Sequence, residues 1–317
     1  MSLTASALGL HPYACLFIDT TWRDLLRAYG DIATAQDTAA AQTRIQRLFH
    51  ADCLVAISAR TAFDAWLRVR AFPRGSEIVM TAINIPDMLK VMREHGIVPV
   101  PVDVCVRTLA PAAAALEALI TPKTVAVLVA QIYGRQFPLD AFVDVARRHR
   151  LPLIEDLAES YSGPGFTGSP DAHLSLFSFG PIKYNTAFGG GIAVVRDAAV
   201  LAQMRALHSS YATRTKTEML HKLAKYSVVM AFLNVPVLSG ATMRLCRALG
   251  VDHKAYVVSL LRGFPDKFFE KLRHQPDPAM LAILERRLRE FDAADFALSA
   301  TNGEVRLGRR GCKETDI

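Results

Sequence analysis

Between Cys53 and Val195 the chain alternates between two hydrophobic rhythms. Short, nearly continuous apolar runs read as buried strands: Cys53–Ile57, Glu77–Met80, Val98–Val104, Val125–Val129 and Leu151–Glu155. Between them, apolar residues fall at helical spacing in Ala62–Val69, Pro86–His95, Ala112–Leu119 and Leu139–His149. Turn residues punctuate the pattern, as at Pro73-Arg74-Gly75. This alternation predicts a largely parallel sheet flanked by helices. Leu174–Phe179 and Gly191–Val195 are the last predicted strands, after a glycine- and proline-rich loop at Ser160–Pro170.

The flanks have a different texture. Trp22, Leu25, Leu26, Ile45, Leu48 and Phe49 sit at helical spacing, so residues 20–50 are predicted helical. After Arg196 the pattern stays helical to about residue 292. Within it, Tyr226–Ala241 is nearly uncharged. It is shorter than the ~20 apolar residues of a spanning helix, and Pro236 interrupts it, which favours a buried helix pair over a membrane anchor. Thr301–Ile317 is polar and ends without periodicity, which predicts a disordered tail. The predicted segments are thus 1–50 helical, 51–197 the α/β core, 198–300 helical and 301–317 a tail.

Composition narrows the picture. With 317 residues, 51% of them hydrophobic, the chain is able to bury a sizeable core. The net charge of +7 is uneven: residues 1–197 carry 18 basic and 18 acidic side chains, residues 198–317 carry 19 and 12. Such a basic region suits an acidic ligand, a partner subunit, a membrane surface or nucleic acid, and no nucleic-acid motif supports the last. Cys15, Cys53, Cys105, Cys246 and Cys312 are odd in number and lack C-x-x-C spacing. They read as free thiols in a reducing, cytoplasmic setting, with no metal site. The first twenty residues lack a basic stretch followed by an apolar core, so no signal peptide is expected.

The candidate chemistry centres on Lys183. Leu153-Ile154-Glu155-Asp156 is an apolar run ending in acids; Ser178, Lys183 and the turn Gly189-Gly190-Gly191 follow. An acid at a strand end, then a hydroxyl and a lysine, suits pyridoxal 5′-phosphate (PLP). The lysine would form the Schiff base, and Asp156 would keep the pyridine nitrogen protonated.

These residues make 51–197 resemble the DegT/DnrJ/StrS sugar aminotransferases. The fold implied is α/β: a PLP-dependent transferase (aspartate aminotransferase-like) large domain with a mainly parallel sheet flanked by helices, followed by a helical C-terminal region. The resemblance implies Ser178 as a phosphate ligand, Lys183 as Schiff-base lysine and proton shuttle, and Asp156 as partner of the pyridine nitrogen. Ser58-Ala59-Arg60-Thr61 falls where the family has a phosphate-binding Gly-Thr turn, which implies Ala59, Arg60 and Thr61 as cofactor-binding residues. Ile85 stands where an aromatic ring stacks on the cofactor, Gln131 where a histidine is common, and Glu159 where glutamine or histidine lies near the phenolic oxygen. A carboxylate there would favour the protonated Schiff base, unless it is neutral or turned away.

The family's asparagine–arginine motif, which reaches the partner subunit's site, has no clear counterpart between Leu207 and Phe232, and the usual small domain is missing or replaced. That fits a divergent subgroup or a shortened product. The implied function is transfer of an amino group from an amino acid such as glutamate to a nucleotide-linked keto-sugar, in a cytoplasmic homodimer. The histidine that marks the family's dehydratase branch is absent, since Lys183 holds that position. The alternatives are a non-catalytic, PLP-binding or scaffold relative, and a peripheral membrane-surface protein.

Overall fold

The computed structural model describes residues 18–35, 37–233, 241–242, 244–246, 248–251 and 267–291. Two helices open it, α1 (Trp22–Thr34) and α2 (Thr38–Phe49). Thr21 and Asp24 form a reciprocal capping box at α1, and Asp37 caps α2 through the Ala40 amide. The single helical stretch expected over 20–50 is therefore broken at Ala35, whose backbone turns extended (φ −66°, ψ 126°) before the second cap.

The core then alternates as β1 (Cys53–Ala56), α3 (Ala59–Arg70), β2 (Glu77–Thr81), α4 (Pro86–Glu94), β3 (Val98–Val102), α5 (Ala113–Glu117), β4 (Thr124–Ala130), α6 (Asp140–His149), β5 (Leu153–Asp156), β6 (Leu174–Ser178) and β7 (Gly191–Val195). These seven strands form one sheet in the order β1-β7-β6-β5-β4-β2-β3. Its interior runs are apolar because helices cover both faces. Pro99 and Pro101 are tolerated because β3 pairs only with β2, at the sheet edge. Neighbours are parallel except at β7, which is antiparallel to both β1 and β6.

The remainder is α7 (Ala198–Ser209), β8 (Ala212–Thr213), α8 (Lys216–Leu233), α9 (Phe268–Leu272), β9 (His274–Gln275) and α10 (Pro278–Arg289). A small parallel pairing of β8 with β9 corrects the expectation of an all-helical stretch to about residue 292. Met219, Leu223, Tyr226 and Met230 of α8 join α1, α2 and α10 in one apolar cluster, so the described part of Tyr226–Ala241 packs partly into the core. The rest of that stretch, the expected tail and the N-terminal residues weighed as a leader lie outside the described residues. No helix among the described residues is long and apolar enough to cross a membrane.

Helix α10 ties the chain's two flanks together. Arg286 Nε donates to Asp31 Oδ2 at 2.8 Å, and Arg44 Nε to Glu285 at 2.9 Å. Residues 18–49 and 278–291 therefore cover the same sheet face, beneath Val55, Phe177, Ile192 and Val194.

Candidate active site

Strand direction fixes where chemistry gathers. Because β7 runs antiparallel to both β1 and β6, the carboxyl ends of β1 and of β2–β6 all reach one edge. Ligands in open α/β sheets sit at that edge. Here it carries the start of α3 after β1, Ile85 after β2, Gln131 after β4, Asp156 on β5 and Ser178 on β6.

Side-chain alternation then sorts the neighbouring acids. Asp156 shares the parity of Ile154, and Ser178 that of Leu174 and Leu176; these apolar residues pack under α3 and α4. Glu155 faces the other side. It accepts from Gln131 Nε2 at 2.6 Å, Ser169 N at 2.8 Å and Ser175 Oγ at 3.1 Å. Burial pushes its carboxyl above the ordinary range, against those hydrogen bonds and the Arg196 charge. Gln131 is thereby spent on Glu155 and the Phe137 amide. This buried cluster escaped the sequence reading; its one signal was the second acid beside Asp156.

Asp156 is 8% exposed. Its Oδ1 accepts from Ala158 N at 3.0 Å, and its Oδ2 has no donor among the described residues. Burial raises its pKa; the Ala158 amide and the Lys183 charge oppose that rise, and the Glu159 charge adds to it. Lys183 sits in a turn whose backbone closes from Lys183 N to Gly180 O at 3.0 Å. Thr186 Oγ1 also bonds Gly180 O, and Asn185, at φ 54°, donates its amide to Asp19. Lys183 Nζ donates to Glu159 Oε1 at 2.9 Å, and Glu159 Oε2 accepts from Tyr133 N at 3.0 Å.

Burial pulls the Glu159 pKa up, yet the Lys183 charge and the Tyr133 and Lys183 hydrogen bonds outweigh it and hold the carboxyl below its ordinary range. Glu159 is thus neither neutral nor turned away. It is the counter-ion of the lysine.

Glycine shapes the anion-binding corner. A Cβ on Gly191 would lie 2.2 Å from Ala59 N and from Ser58 C, so only glycine lets β7 approach α3 this closely. Gly191 also pairs with Ser178 and with Ala56, which sets the serine beside the helix start. The α3 cap is Ser58, whose Oγ accepts from Thr61 N at 3.2 Å. Thr61 is fully buried and donates to Leu272 O at 2.9 Å, so its hydroxyl serves the packing of α3 on α9. Arg60 is ion-paired with Asp87 of α4. Ala59, the first residue of the helix, has an amide with no intrahelical acceptor, and the Ser178 hydroxyl has no partner among the described residues. Ile85, 38% exposed, begins α4 at the rim.

Of the sequence-predicted residues, the structure brings together Asp156, Glu159 and Lys183, and separately Ala59, Arg60, Thr61 and Ser178 at the neighbouring strand ends; Ile85 stands apart, beyond β4 on the same edge.

This topology is that of the PLP-dependent aminotransferases. S. venezuelae DesV has this fold, with TM-score 0.58 at 18% identity over 88% of this chain and 66% of that one. The sugar aminotransferase Spr1654 of Streptococcus pneumoniae in its PLP-form gives TM-score 0.53 at 20% identity, over 61% of this chain and 57% of that one. The chain belongs to the DegT/DnrJ/EryC1/StrS aminotransferase family, whose model matches residues 34–245. GDP-perosamine synthase of Caulobacter vibrioides is 36% identical over 150 residues, 46% of this chain and 40% of that protein. UDP-4-amino-4-deoxy-L-arabinose–oxoglutarate aminotransferase of Shewanella sediminis is 33% identical over 187 residues, 58% and 48% of the two chains. The chain spans under half the length of these curated relatives.

PLP fits the residues present. The Ser178 hydroxyl and the Ala59 amide are uncommitted among the described residues, beside a backbone approach that a Cβ would fill. Asp156 Oδ2 is likewise uncommitted at the end of β5.

Proposed function

We propose that this chain is a PLP-dependent aminotransferase that moves an amino group from an amino acid, glutamate or its amide, to a nucleotide-linked keto-sugar. The observation that carries the reading is the convergence of Lys183 with the buried Asp156 at the carboxyl edge of this family's sheet. The names of the relatives support the substrate class: one makes GDP-perosamine and one uses oxoglutarate. Another, from Streptomyces griseus and 39% identical over 137 residues (42% of this chain, 32% of that protein), takes L-glutamine with scyllo-inosose.

When bound, PLP supplies an electron sink for the carbon that loses its proton. Asp156 would keep the ring nitrogen protonated by its negative charge. Lys183 Nζ would leave its ion pair with Glu159 to carry the proton between donor carbon and acceptor. Glu159, 2.9 Å from Nζ, is the acceptor that Lys183 must leave before it attacks. Ser178 Oγ with the Ala59 amide would hold the phosphate. Residues 51–197 form the cofactor-binding core under this reading, in a cytoplasmic homodimer.

The purified protein should take up PLP, absorb in the visible and, after borohydride, carry the cofactor on the peptide containing Lys183. Adding glutamate or glutamine alone should bleach that band. A colourless protein that stays unlabelled in excess PLP would overturn the reading. A second reading, a non-catalytic PLP binder, draws on the ion pair that occupies Lys183. It expects uptake and labelling without bleaching by any donor.

A further inference from the structure

One cation beside the triglycine turn has no place in the chemistry above. Lys222, on α8, makes no hydrogen bond or ion pair among the described residues. Its Nζ lies 3.1 Å from where a Cβ on Gly189 would be, so the glycine leaves the room that the ammonium needs.

The triglycine turn meets three elements, α3, α8 and α10. A Cβ on Gly190 would point at Leu284 of α10, whereas one on Gly191 would point at Ser58 and Ala59 at the start of α3. Gly189 opens toward Lys222 of α8 and toward Met280 of α10. The turn is tied at both ends to the candidate anion site: Gly189 N donates to Phe179 O at 3.1 Å, next to Ser178, and Gly190 N to Ile57 O at 2.9 Å, next to Ser58.

Charge gives the second argument. Burial, followed by the charges of Arg214, Lys225 and Arg60, pushes the Lys222 ammonium down to about 8, with Asp277 alone opposing. Asp277 is committed as the cap of α10, accepting from Met280 N at 3.0 Å. An unpaired cation among other cations, beside a turn whose backbone bonds to the neighbours of Ser178 and Ser58, is complementary to a dianion.

We infer that Lys222 is a phosphate ligand supplied by the same chain, joining Ser178 Oγ and the Ala59 amide around the phosphate of PLP. The inference deepens the reading above and rests on it. It also bears on the region between Leu207 and Phe232, where the family's asparagine–arginine motif is missing: Lys222 lies inside that stretch and brings a cation to the site from within the chain.

The test is binding, not turnover. Lys222→Met and Lys222→Gln are titrated with PLP and with pyridoxal, which lacks the phosphate, by fluorescence quenching, alongside Lys222→Arg. Both truncations should weaken PLP about tenfold or more, the scale of a lost charge-assisted hydrogen bond. They should leave pyridoxal unchanged, and Lys222→Arg should restore most of the PLP affinity. Inorganic phosphate should raise the melting temperature of the wild type more than that of either truncation. Equal PLP affinity in wild type and truncations would overturn the role of Lys222 and leave the aminotransferase reading standing. Equal losses for PLP and pyridoxal would overturn it in favour of a packing role. A wild type that binds neither would sink the reading on which the inference rests.

Discussion

Of three carboxylates within five residues, burial raises the pKa of Glu155 and Asp156, while the Lys183 pair holds Glu159 below its ordinary range. Glu155 is buried in hydrogen bonds on the far face and supports the loop at Ser169. Asp156 carries a raised pKa, so its ionised form is disfavoured by the fold. The resulting destabilisation is present above the folded pKa and vanishes below the unfolded one. Asp156→Asn should therefore melt at or above the wild type without cofactor at neutral pH, with the difference fading in acid. The same change should cut turnover ~10²-fold or more, since it removes the charge aimed at the reacting ring. Thermal scans and steady-state rates on one preparation check both halves, and near-normal turnover would reduce Asp156 to a cap. Glu159 has the opposite sign. Its pKa is depressed, so its contribution to stability is present above the ordinary glutamate value of 4.5 and is lost as pH falls through the folded value. Glu159→Gln should lower the melting temperature at neutral pH and not in acid. In the loaded protein its absorbance midpoint should shift to lower pH, because a negative charge beside Lys183 favours the protonated nitrogen. An unmoved midpoint would mean that the loaded site turns Glu159 away.

Between elements, the approach of β7 to α3 decides whether the edge is a site at all. Gly191→Ala places a methyl 2.2 Å from the Ala59 nitrogen, and backbone is unable to give way as a flexible side chain does. The helix start must retreat from Ser178. Overpacking of this kind costs about 1–3 kcal/mol, and PLP affinity should fall along with the melting temperature. Wild-type affinity in Gly191→Ala would show that the helix start is not part of the anion site. The strands around this contact were legible in the sequence to within about two residues, because each is a short apolar run bounded by turns; Cys53–Ile57 became Cys53–Ala56, and Leu151–Glu155 became Leu153–Asp156. The acid and the lysine were legible for the same reason, since both sit just past such runs. The β8–β9 pair was not, because two-residue strands held by backbone hydrogen bonds leave no hydrophobic period. Nor was Lys222 legible: a lone lysine on a long helix looks solvated until the fold brings Gly189 beneath it.

At the scale of the molecule, the excess charge is confined to one part of the sequence, and apolar side chains are exposed at the carboxyl edge. The net +7 lies wholly in residues 198–317. Around the carboxyl edge Ile83, Ile85 and Tyr133 are 40%, 38% and 42% exposed, and on α8 Val228 is 70% exposed. Scattered apolar side chains need no cover, but these include the rim of the proposed site, where a substrate must be screened from water. A second copy of the chain would provide that screen across a two-fold axis, burying the rim on both protomers at once. A membrane surface is the competing cover, since a basic region with exposed apolar residues also suits anionic lipid. Sedimentation in dilute, salt-containing buffer, paired with flotation on vesicles containing phosphatidylserine, separates the two. The expected outcome is a dimer that does not float, in which Ile85→Asp and Tyr133→Asp shift the equilibrium toward monomer. A wild type that sediments as a monomer and stays off vesicles would contradict a shared site, and flotation that salt abolishes would assign the basic region to lipid.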